Sequence, residues 1–173
     1  MSKHVVFLNG PIGAGKTTLG RAAAERLGGR FLDGDDFADP DRPWYASLPR
    51  TVTGIYGAVL QTPETVPVTV VAYPLNCVTW IYFRRRLAEA GKAVIFISLR
   101  ASYEAILDPR RGRLFDADER ERIGVMLAEG YAERPFSDLI LDTDRDGFEA
   151  TAVRLAAAIR SLIGPQNGVL PLR

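Results

Sequence analysis

The sequence predicts an α/β domain built on a five-stranded parallel sheet, with helices on both faces and a lid loop. Two observations predict this class: strand-like apolar runs alternate with helical patterns along the 173 residues, and each of these runs is continuously apolar. A strand that is apolar at every position is buried on both faces, as in a parallel sheet covered by helices. The length fits a single domain, residues 1–173, with a full hydrophobic core.

The first third of the chain is predicted to contain two strands and two helices. A short apolar run predicts a strand over residues 4–9, and helically spaced apolar residues predict a helix over 18–27. RFLD, residues 30–33, is the second strand. Residues 34–50 are rich in Asp and Pro and are predicted to form a loop, because proline interrupts regular structure. Residues 51–60 are predicted to be helical. The prolines that predict the loop are Pro40, Pro43 and Pro49.

Three further apolar runs predict the remaining strands, over residues 66–73, 92–99 and 138–142. A short helix over 101–107 and a loop over 109–113, PRRGR, follow the fourth strand. Strands and helices therefore alternate to the end of the chain.

Three helix starts are predicted from capping residues. Asn76 is placed to cap a helix that ends before Gly91. Asp116 and Asp146 are each followed three residues later by Glu, the spacing of a capping box, and the first of these helices is predicted to reach about Tyr131. The last helix has one apolar face. Its members are Phe148, Ala152, Leu155, Ile159 and Leu162.

Composition narrows the range of partners. The formal net charge is +1, which predicts neither a nucleic-acid partner nor a membrane surface. No apolar run approaches the ~20 residues that span a bilayer. The single cysteine, Cys77, cannot form an internal disulfide, and a reducing cytoplasm is the expected location. A monomer and a homodimer both fit these features, and residues 164–173 are predicted to form an irregular tail.

Residues 10–17, GPIGAGKT, match the pattern G-x-x-x-x-G-K-[ST] between a predicted strand and a predicted helix. Glycines let backbone N–H groups ring phosphate oxygens closely, and the helix N-terminus adds partial positive charge. Lys16 is expected to reach the β- and γ-phosphates, and the Thr17 hydroxyl to ligate Mg²⁺. The pattern therefore predicts a nucleotide site. Its candidate contacts are Gly10, Pro11, Ile12, Gly13, Ala14, Gly15, Lys16, Thr17 and Thr18.

The second predicted strand ends in FLDGDDF, which supplies Asp33, Asp35 and Asp36. Ligands of an open parallel sheet sit beyond the carboxyl ends of the strands. One carboxylate there can hold Mg²⁺ through water, and another can accept a proton from a hydroxyl that is being phosphorylated. Three close carboxylates repel one another unless a cation or substrate hydroxyls offset them, which favours function over a simple turn.

Two groups of arginines are candidates for binding anions. Arg110, Arg111 and Arg113 surround the glycine of PRRGR, in a segment predicted to be a lid (108–118), where they would stabilise the charge of a phosphoryl group in transfer. Arg42 and Arg50 lie in a predicted acceptor-binding region (34–60) and suit a carboxylate or phosphate on the acceptor. An aromatic packing cluster around Trp44 and Tyr45 is the alternative for the second group.

The stretch VVFLNGPIGAGKTTLGRAAAERLGGRFLDGDDF resembles the start of shikimate kinases and gluconate kinases, and it is similar to adenylylsulfate kinases. The later MLAEGYAERPFSDLILDTD resembles the end of shikimate kinases. The resemblance implies the three-layer fold of small P-loop kinases, a mobile lid, and chemistry with ATP and Mg²⁺. It implies that Asp33 lies near Mg²⁺, Asp35 near the acceptor hydroxyl, and Arg113 or a neighbour such as Arg110 on the phosphates. Asp36 joins Asp35 as a candidate acceptor contact.

The chain also departs from these families. Shikimate kinases have a glycine pair or triplet after the third strand, where this chain has Tyr73, Pro74 and Leu75. Gluconate kinases have Gly-His-Phe in the lid, where this chain has Gly112-Arg113-Leu114, and the arginine that shikimate kinases place before the late tyrosine is missing. The acceptor therefore stays open.

Three functions remain at this point. The first is an ATP-dependent kinase that phosphorylates a hydroxyl of a small polar metabolite. The second is a nucleoside or nucleotide kinase, with Trp44, Tyr45 and Tyr56 stacking on a base. The third, of another class, is a regulatory NTPase or switch; the absence of an Asn-Lys-x-Asp segment argues against its guanine-specific form.

Overall fold

The computed structural model describes residues 3–164 and confirms the predicted fold class. Five parallel strands form one sheet in the order β2-β3-β1-β4-β5. The first strand lies at the centre, so the segment that follows it emerges in the middle of the carboxyl edge of the sheet. The strands are β1 (Lys3–Asn9), β2 (Arg30–Asp33), β3 (Val68–Ala72), β4 (Lys92–Arg100) and β5 (Leu139–Asp142).

Helices cover both faces of the sheet. They are α1 (Lys16–Arg26), α2 (Trp44–Leu60), α3 (Cys77–Glu89), α4 (Tyr103–Leu107), α5 (Ala117–Ala128) and α6 (Phe148–Ile163). Successive residues of a strand point to opposite faces. Val6 and Leu8 of β1 accordingly pack with α1 and α6, whereas Val5 and Phe7 pack with α2 and α3. A third, smaller apolar cluster is formed by residues within and on either side of the segment 108–118, which is predicted to be a lid. It contains Ala101, Ile106, Phe115 and Ile123.

The prediction of a loop over residues 34–50 is wrong in its second half. Helix α2 begins at Trp44, directly after Pro43, and Pro49 lies inside it. An internal proline costs a helix about 3 kcal/mol. The cost is offset because α2 buries a row of apolar side chains against the sheet, which is tertiary information that local sequence does not contain. The buried apolar residues are Val52, Ile55 and Val59.

Two of the three predicted helix caps are confirmed. Asn76 and Asp116 each form a capping box, accepting hydrogen bonds from the backbone three residues later. The cap predicted for the last helix is wrong, because Gly147 occupies the N-cap position and the Asp146 carboxylate instead pairs with Arg154 at 2.9 Å.

Two further helix predictions are wrong in detail, and the prediction of an irregular tail falls mostly on residues outside the described range. Helix α5 ends at Ala128, before the predicted Tyr131, and Gly130 follows it with a φ of +74°. Phe148 and Leu162, predicted to lie on the buried face of α6, are exposed. The predicted tail lies outside the described residues from position 165 onward.

A buried asparagine ties the carboxyl ends of the strands together. Asn9 ends β1 and is fully buried. Its amide donates to the Ser98 hydroxyl at 3.0 Å and to the Tyr131 carbonyl at 2.8 Å, while its oxygen accepts from the Leu75 backbone at 2.7 Å. The end of β1, strand β4, the segment after β3 and the segment that precedes β5 therefore share one polar anchor at this edge.

Candidate active site

Residues 10–15 form a loop at the carboxyl end of β1, and α1 begins directly after it. The loop needs glycine at two positions in particular. Gly13 has a φ of +78° and Gly15 a φ of +95°, values that L-residues rarely adopt. Gly15 is the N-cap of α1 and carries no side chain to satisfy the first N–H groups of the helix. Those groups and their partial positive charge remain available to an anion.

The ammonium of Lys16 folds back onto this loop. Its Nζ donates to the carbonyl oxygens of Gly10 and Pro11, at 2.9 Å and 2.7 Å. Burial lowers the pKa of Lys16 to about 8, and the charge of Arg113 adds to this, while Asp35 and Asp33 act in the opposite direction. The lysine is held at the loop by neutral oxygens, without an ion pair among residues 3–164.

Thr17 and Asp33 meet although they lie on different elements. Asp33 ends β2, and its Oδ2 accepts a hydrogen bond of 2.9 Å from the Thr17 hydroxyl. Its Oδ1 caps the short turn Gly34–Phe37 by accepting from the Asp35 backbone at 3.2 Å. A hydroxyl and a carboxylate are oxygen ligands, which suit Mg²⁺, an ion that fills its remaining positions with phosphate and water. No group of three or more His, Cys, Asp or Glu suited to a metal occurs among the described residues.

Asp35 lies on the same side of the site. The pKa of its carboxyl is raised, mainly by desolvation and then by the charge of Asp33, while Lys16 and Arg122 oppose the shift. A raised pKa makes a carboxylate a better proton acceptor at neutral pH. Tyr73 lies close by, and burial, followed by the charge of Asp35, raises its pKa to about 12.

One cavity of about 990 Å³ collects most of the predicted site residues. Its walls include the loop after β1, Asp35, the lid segment and the start of α6. The predicted residues that line it are Ile12, Gly13, Gly15, Lys16, Thr17, Thr18, Asp35, Arg110 and Arg113. Asp33 joins them through its hydrogen bond to Thr17.

The predicted contacts Gly10, Pro11 and Ala14 are buried behind the wall of the cavity. The carbonyls of Gly10 and Pro11 hold Lys16, and the carbonyl of Ala14 accepts from the Thr143 hydroxyl at 3.1 Å. These three residues therefore shape the loop from behind.

Three predicted acceptor contacts lie outside the cavity lining. Arg42 and Arg50 both pair with the carboxylate of Asp39, at 3.5 Å and 3.4 Å. Asp36 follows Asp35 in the same short turn and is exposed. These residues were predicted because they lie close to Asp35 in the sequence. In the structure, however, Arg42 and Arg50 form ion pairs with Asp39 in the same segment.

The lid segment begins at Asp108, whose carboxylate binds Arg110 with an Oδ2–Nη2 distance of 2.5 Å. The hydrogen bonds from Arg110 lower the pKa of Asp108 to about 2. Arg113 binds Glu119 at 2.6 Å, and its guanidinium lies 4.7 Å from the centre of the Phe115 ring. Arg110 and Arg113 therefore face the cavity with a carboxylate partner already bound.

Several cavity residues escaped the sequence reasoning. Arg122 and Met126 lie one helical turn apart on α5 and line the same cavity as Asp35 and Trp44. Their spacing on a predicted helix was the available signal, but nothing local indicated which face of α5 meets the cavity. Thr143, after β5, was missed as well, although ligands of such sheets lie beyond strand ends.

The late tyrosine does have an arginine beside it. The Arg134 guanidinium lies 3.9 Å from the centre of the Tyr131 ring, and its Nε donates to the Leu75 carbonyl at 3.2 Å. It follows the tyrosine in sequence, whereas the prediction considered only the residues before it.

No protein-family model matches the chain. The shikimate kinase of Actinobacillus pleuropneumoniae serotype 5b (strain L20) is 54% identical over 50 residues, which are 27% of this chain and 29% of that protein. The shikimate kinase of Psychrobacter cryohalolentis is 63% identical over 30 residues, which are 17% of this chain and 16% of that protein. The sequence likeness therefore spans less than a third of these curated relatives.

Solved structures match over nearly the whole chain. A gluconokinase from Sinorhizobium meliloti 1021 gives a TM-score of 0.63 at 19% identity, covering 91% of this chain and 95% of its own. The shikimate kinase of Acinetobacter baumannii, in complex with shikimate, gives 0.62 at 20% identity, covering 94% and 95%. At such identities the likeness establishes a shared fold and leaves the acceptor open. No helix within residues 3–164 is both long and apolar enough to cross a bilayer.

Proposed function

We propose that this chain, which has the fold of the small P-loop kinases, transfers the γ-phosphoryl group of ATP to a hydroxyl of a small polar metabolite. The observation that carries the proposal is the convergence of Lys16, the Thr17–Asp33 pair and Asp35 on one cavity. A phosphate loop alone supports nucleotide binding. The additional carboxylate, with its raised pKa, supplies what an acceptor hydroxyl requires.

Each group has a distinct role in this proposal. The loop amides and the α1 N-terminus bind the phosphate tail, and Lys16 leaves its carbonyl partners to neutralise the β- and γ-oxygens. Thr17 and Asp33 would hold Mg²⁺, which would supply positive charge at the transferred group. Asp35 orients the acceptor hydroxyl and takes its proton. The lid (108–118) brings arginines to the phosphates and excludes water.

The acceptor subsite lies in the part of the cavity next to Asp35. Tyr73 packs tightly against the turn that carries Asp35, since a Cβ on Gly34 would lie 2.4 Å from its ring. It stands at the sequence position where shikimate kinases carry glycines, and Pro74, which follows it, lines the cavity. Arg122 offers a cation and Trp44, whose side chain is 58% exposed, offers a flat apolar face. We propose that the acceptor combines an anionic group with an apolar surface.

The second candidate is a nucleoside or nucleotide kinase, which Trp44 favours because its exposed ring lines the cavity. Tyr56 does not support base stacking, since it packs against Tyr82 with ring centres 6.1 Å apart and lies under the Arg86 guanidinium. A regulatory NTPase would leave Asp35 without an acceptor to serve.

One assay separates these functions. ADP release is measured with ATP and Mg²⁺, first alone and then with shikimate, gluconate, nucleosides, nucleotides or adenylylsulfate. The kinase proposal expects release to depend on one class of acceptor, and steady hydrolysis without any acceptor would refute it.

Two variants test the assigned residues in the same assay. Lys16→Ala should abolish transfer while the fold remains, because the side-chain hydrogen bonds of Lys16 go to its own loop; Lys92→Ala, outside the cavity, is the matched control. Asp35→Asn should lower kcat by two or more orders of magnitude, in line with loss of a general base, with little effect on ATP affinity. Near-normal turnover in either variant contradicts its role.

A further inference from the structure

Arg111 differs from the other two arginines of the lid. Arg110 and Arg113 each hold a carboxylate, as described above, whereas Arg111 forms no ion pair with a carboxylate within residues 3–164. Its Nη2 instead lies 3.4 Å from the carbonyl oxygen and 3.4 Å from the hydroxyl oxygen of Thr143. The guanidinium therefore lines the cavity with its hydrogen bonds directed to neutral oxygens, while the Asp108 carboxylate acts on it through charge alone, without an ion-pair contact.

Thr143 connects this guanidinium to the phosphate loop. The residue follows β5 directly and is 5% exposed. Its hydroxyl donates to the Ala14 carbonyl at 3.1 Å, with the Arg100 carbonyl at 3.3 Å as the alternative acceptor, and its backbone N–H donates to Arg100 at 2.8 Å. One hydroxyl thus contacts the loop on one side and Arg111 on the other. The guanidinium of Arg111 lies two hydrogen bonds away from the Ala14 carbonyl.

We infer that Thr143 is a positioning residue, which holds the Arg111 guanidinium beside the phosphate loop to bind the phosphate tail of the nucleotide. The inference rests on the proposed function, since it takes ATP as the ligand of the loop. Arg110 and Arg113 must exchange a carboxylate for phosphate before they contribute. Arg111 exchanges only two long hydrogen bonds to Thr143 and is therefore the lid arginine with the weakest contacts to break before it binds phosphate.

The test compares the ATP affinity of a variant that lacks the Thr143 hydroxyl with that of a variant that keeps it. Thr143→Val keeps the shape of the side chain and loses the hydroxyl, and Thr143→Ser keeps the hydroxyl. Thr51→Val is the matched control, because Thr51 is also buried and its hydroxyl donates to Ser47 inside α2 at 3.1 Å. The dissociation constant of ATP with Mg²⁺ is measured by calorimetry. We expect it to rise about tenfold in Thr143→Val and in Arg111→Gln, the loss of one charge-assisted hydrogen bond.

Thr143→Ser and Thr51→Val should bind ATP as the unaltered chain does. The double variant Arg111→Gln/Thr143→Val should lose no more affinity than Arg111→Gln alone, because the threonine acts through the arginine. Losses that multiply in the double variant would overturn the inference, since a merely structural threonine weakens binding independently of Arg111.

Tryptic cleavage after Arg111 tests the hydrogen bond between Thr143 and Arg111 in the absence of nucleotide. Cleavage of the Arg111–Gly112 bond should be faster in Thr143→Val than in Thr143→Ser, and equal rates would count against that hydrogen bond. If the unaltered chain does not bind ATP, the proposed function itself is wrong. If it binds ATP and Thr143→Val binds equally well, only the inference fails.

Discussion

Replacing Gly13 by alanine tests whether the phosphate loop is packed as tightly as the structure shows. Gly13 has a φ of +78°, and a Cβ built on it would lie 2.6 Å from Cγ2 of Ile106 and 2.8 Å from Cζ of Phe115. Both neighbours belong to the third apolar cluster, and both are buried. The substitution therefore imposes backbone strain and an overlap with a packed core at once.

The two costs can be separated with a matched control. A left-handed φ costs an L-residue about 1–2 kcal/mol, and overpacking a core adds about 1–3 kcal/mol. Gly28 has a φ of +62°, but a Cβ on it would meet nothing within 4 Å, so Gly28→Ala carries the backbone cost alone. We expect Gly13→Ala to lose about 3 kcal/mol of unfolding free energy and Gly28→Ala about 1 kcal/mol.

Urea denaturation followed by circular dichroism gives both free energies of unfolding. At about 2–4 °C per kcal/mol for a chain of this size, Gly13→Ala should melt roughly 6–12 °C lower than the unaltered chain. Equal destabilisation in the two variants would refute the reasoning, because it would mean that Ile106 and Phe115 do not press on the loop.

Two further predictions concern charge in the cavity. The pKa of Lys16 is lowered to about 8, so the free protein loses this positive charge as the pH rises through 8. The affinity for ATP should therefore stay constant below pH 8. Above pH 8 it should fall by up to about tenfold per pH unit, as proton linkage requires. Lys16→Arg keeps its charge and should remove this dependence, and a flat profile in the unaltered chain would contradict the assignment. Arg122→Gln should raise the KM of an anionic acceptor about tenfold, the loss of one charge-assisted contact, and leave ATP affinity unchanged. Arg85→Gln, on the exposed side of α3, is its control, and equal effects of both variants would count against an acceptor role.

The features that sequence reasoning predicted correctly are those encoded locally. The buried strands are continuous apolar runs, the glycine-rich loop between β1 and α1 is a contiguous motif, and the caps at Asn76 and Asp116 need only a spacing of three. The number of strands in the sheet follows from the same apolar runs. Such features depend on neighbours in the chain, so a single sequence contains the information.

The features that were missed depend on contacts between distant segments. The helix at Trp44 forms despite Pro49, because packing on the sheet stabilises its apolar face. Arg42 forms an ion pair with Asp39. The sequence pattern could not distinguish this partner from a bound anionic ligand. Thr143 and Ala14 are separated by 129 positions, and only the parallel sheet brings them within hydrogen-bonding distance.

The partners that Lys16 already has determine how ATP affinity should be understood. The Lys16 ammonium already donates hydrogen bonds to two carbonyl oxygens, those of Gly10 at 2.9 Å and Pro11 at 2.7 Å. Binding is then a replacement reaction, and its free energy is the difference between two sets of contacts. A ligand too weakly anionic to displace the carbonyls leaves the lysine where it is. The loop thereby favours strongly anionic ligands through contacts of its own backbone, before the lid contributes anything.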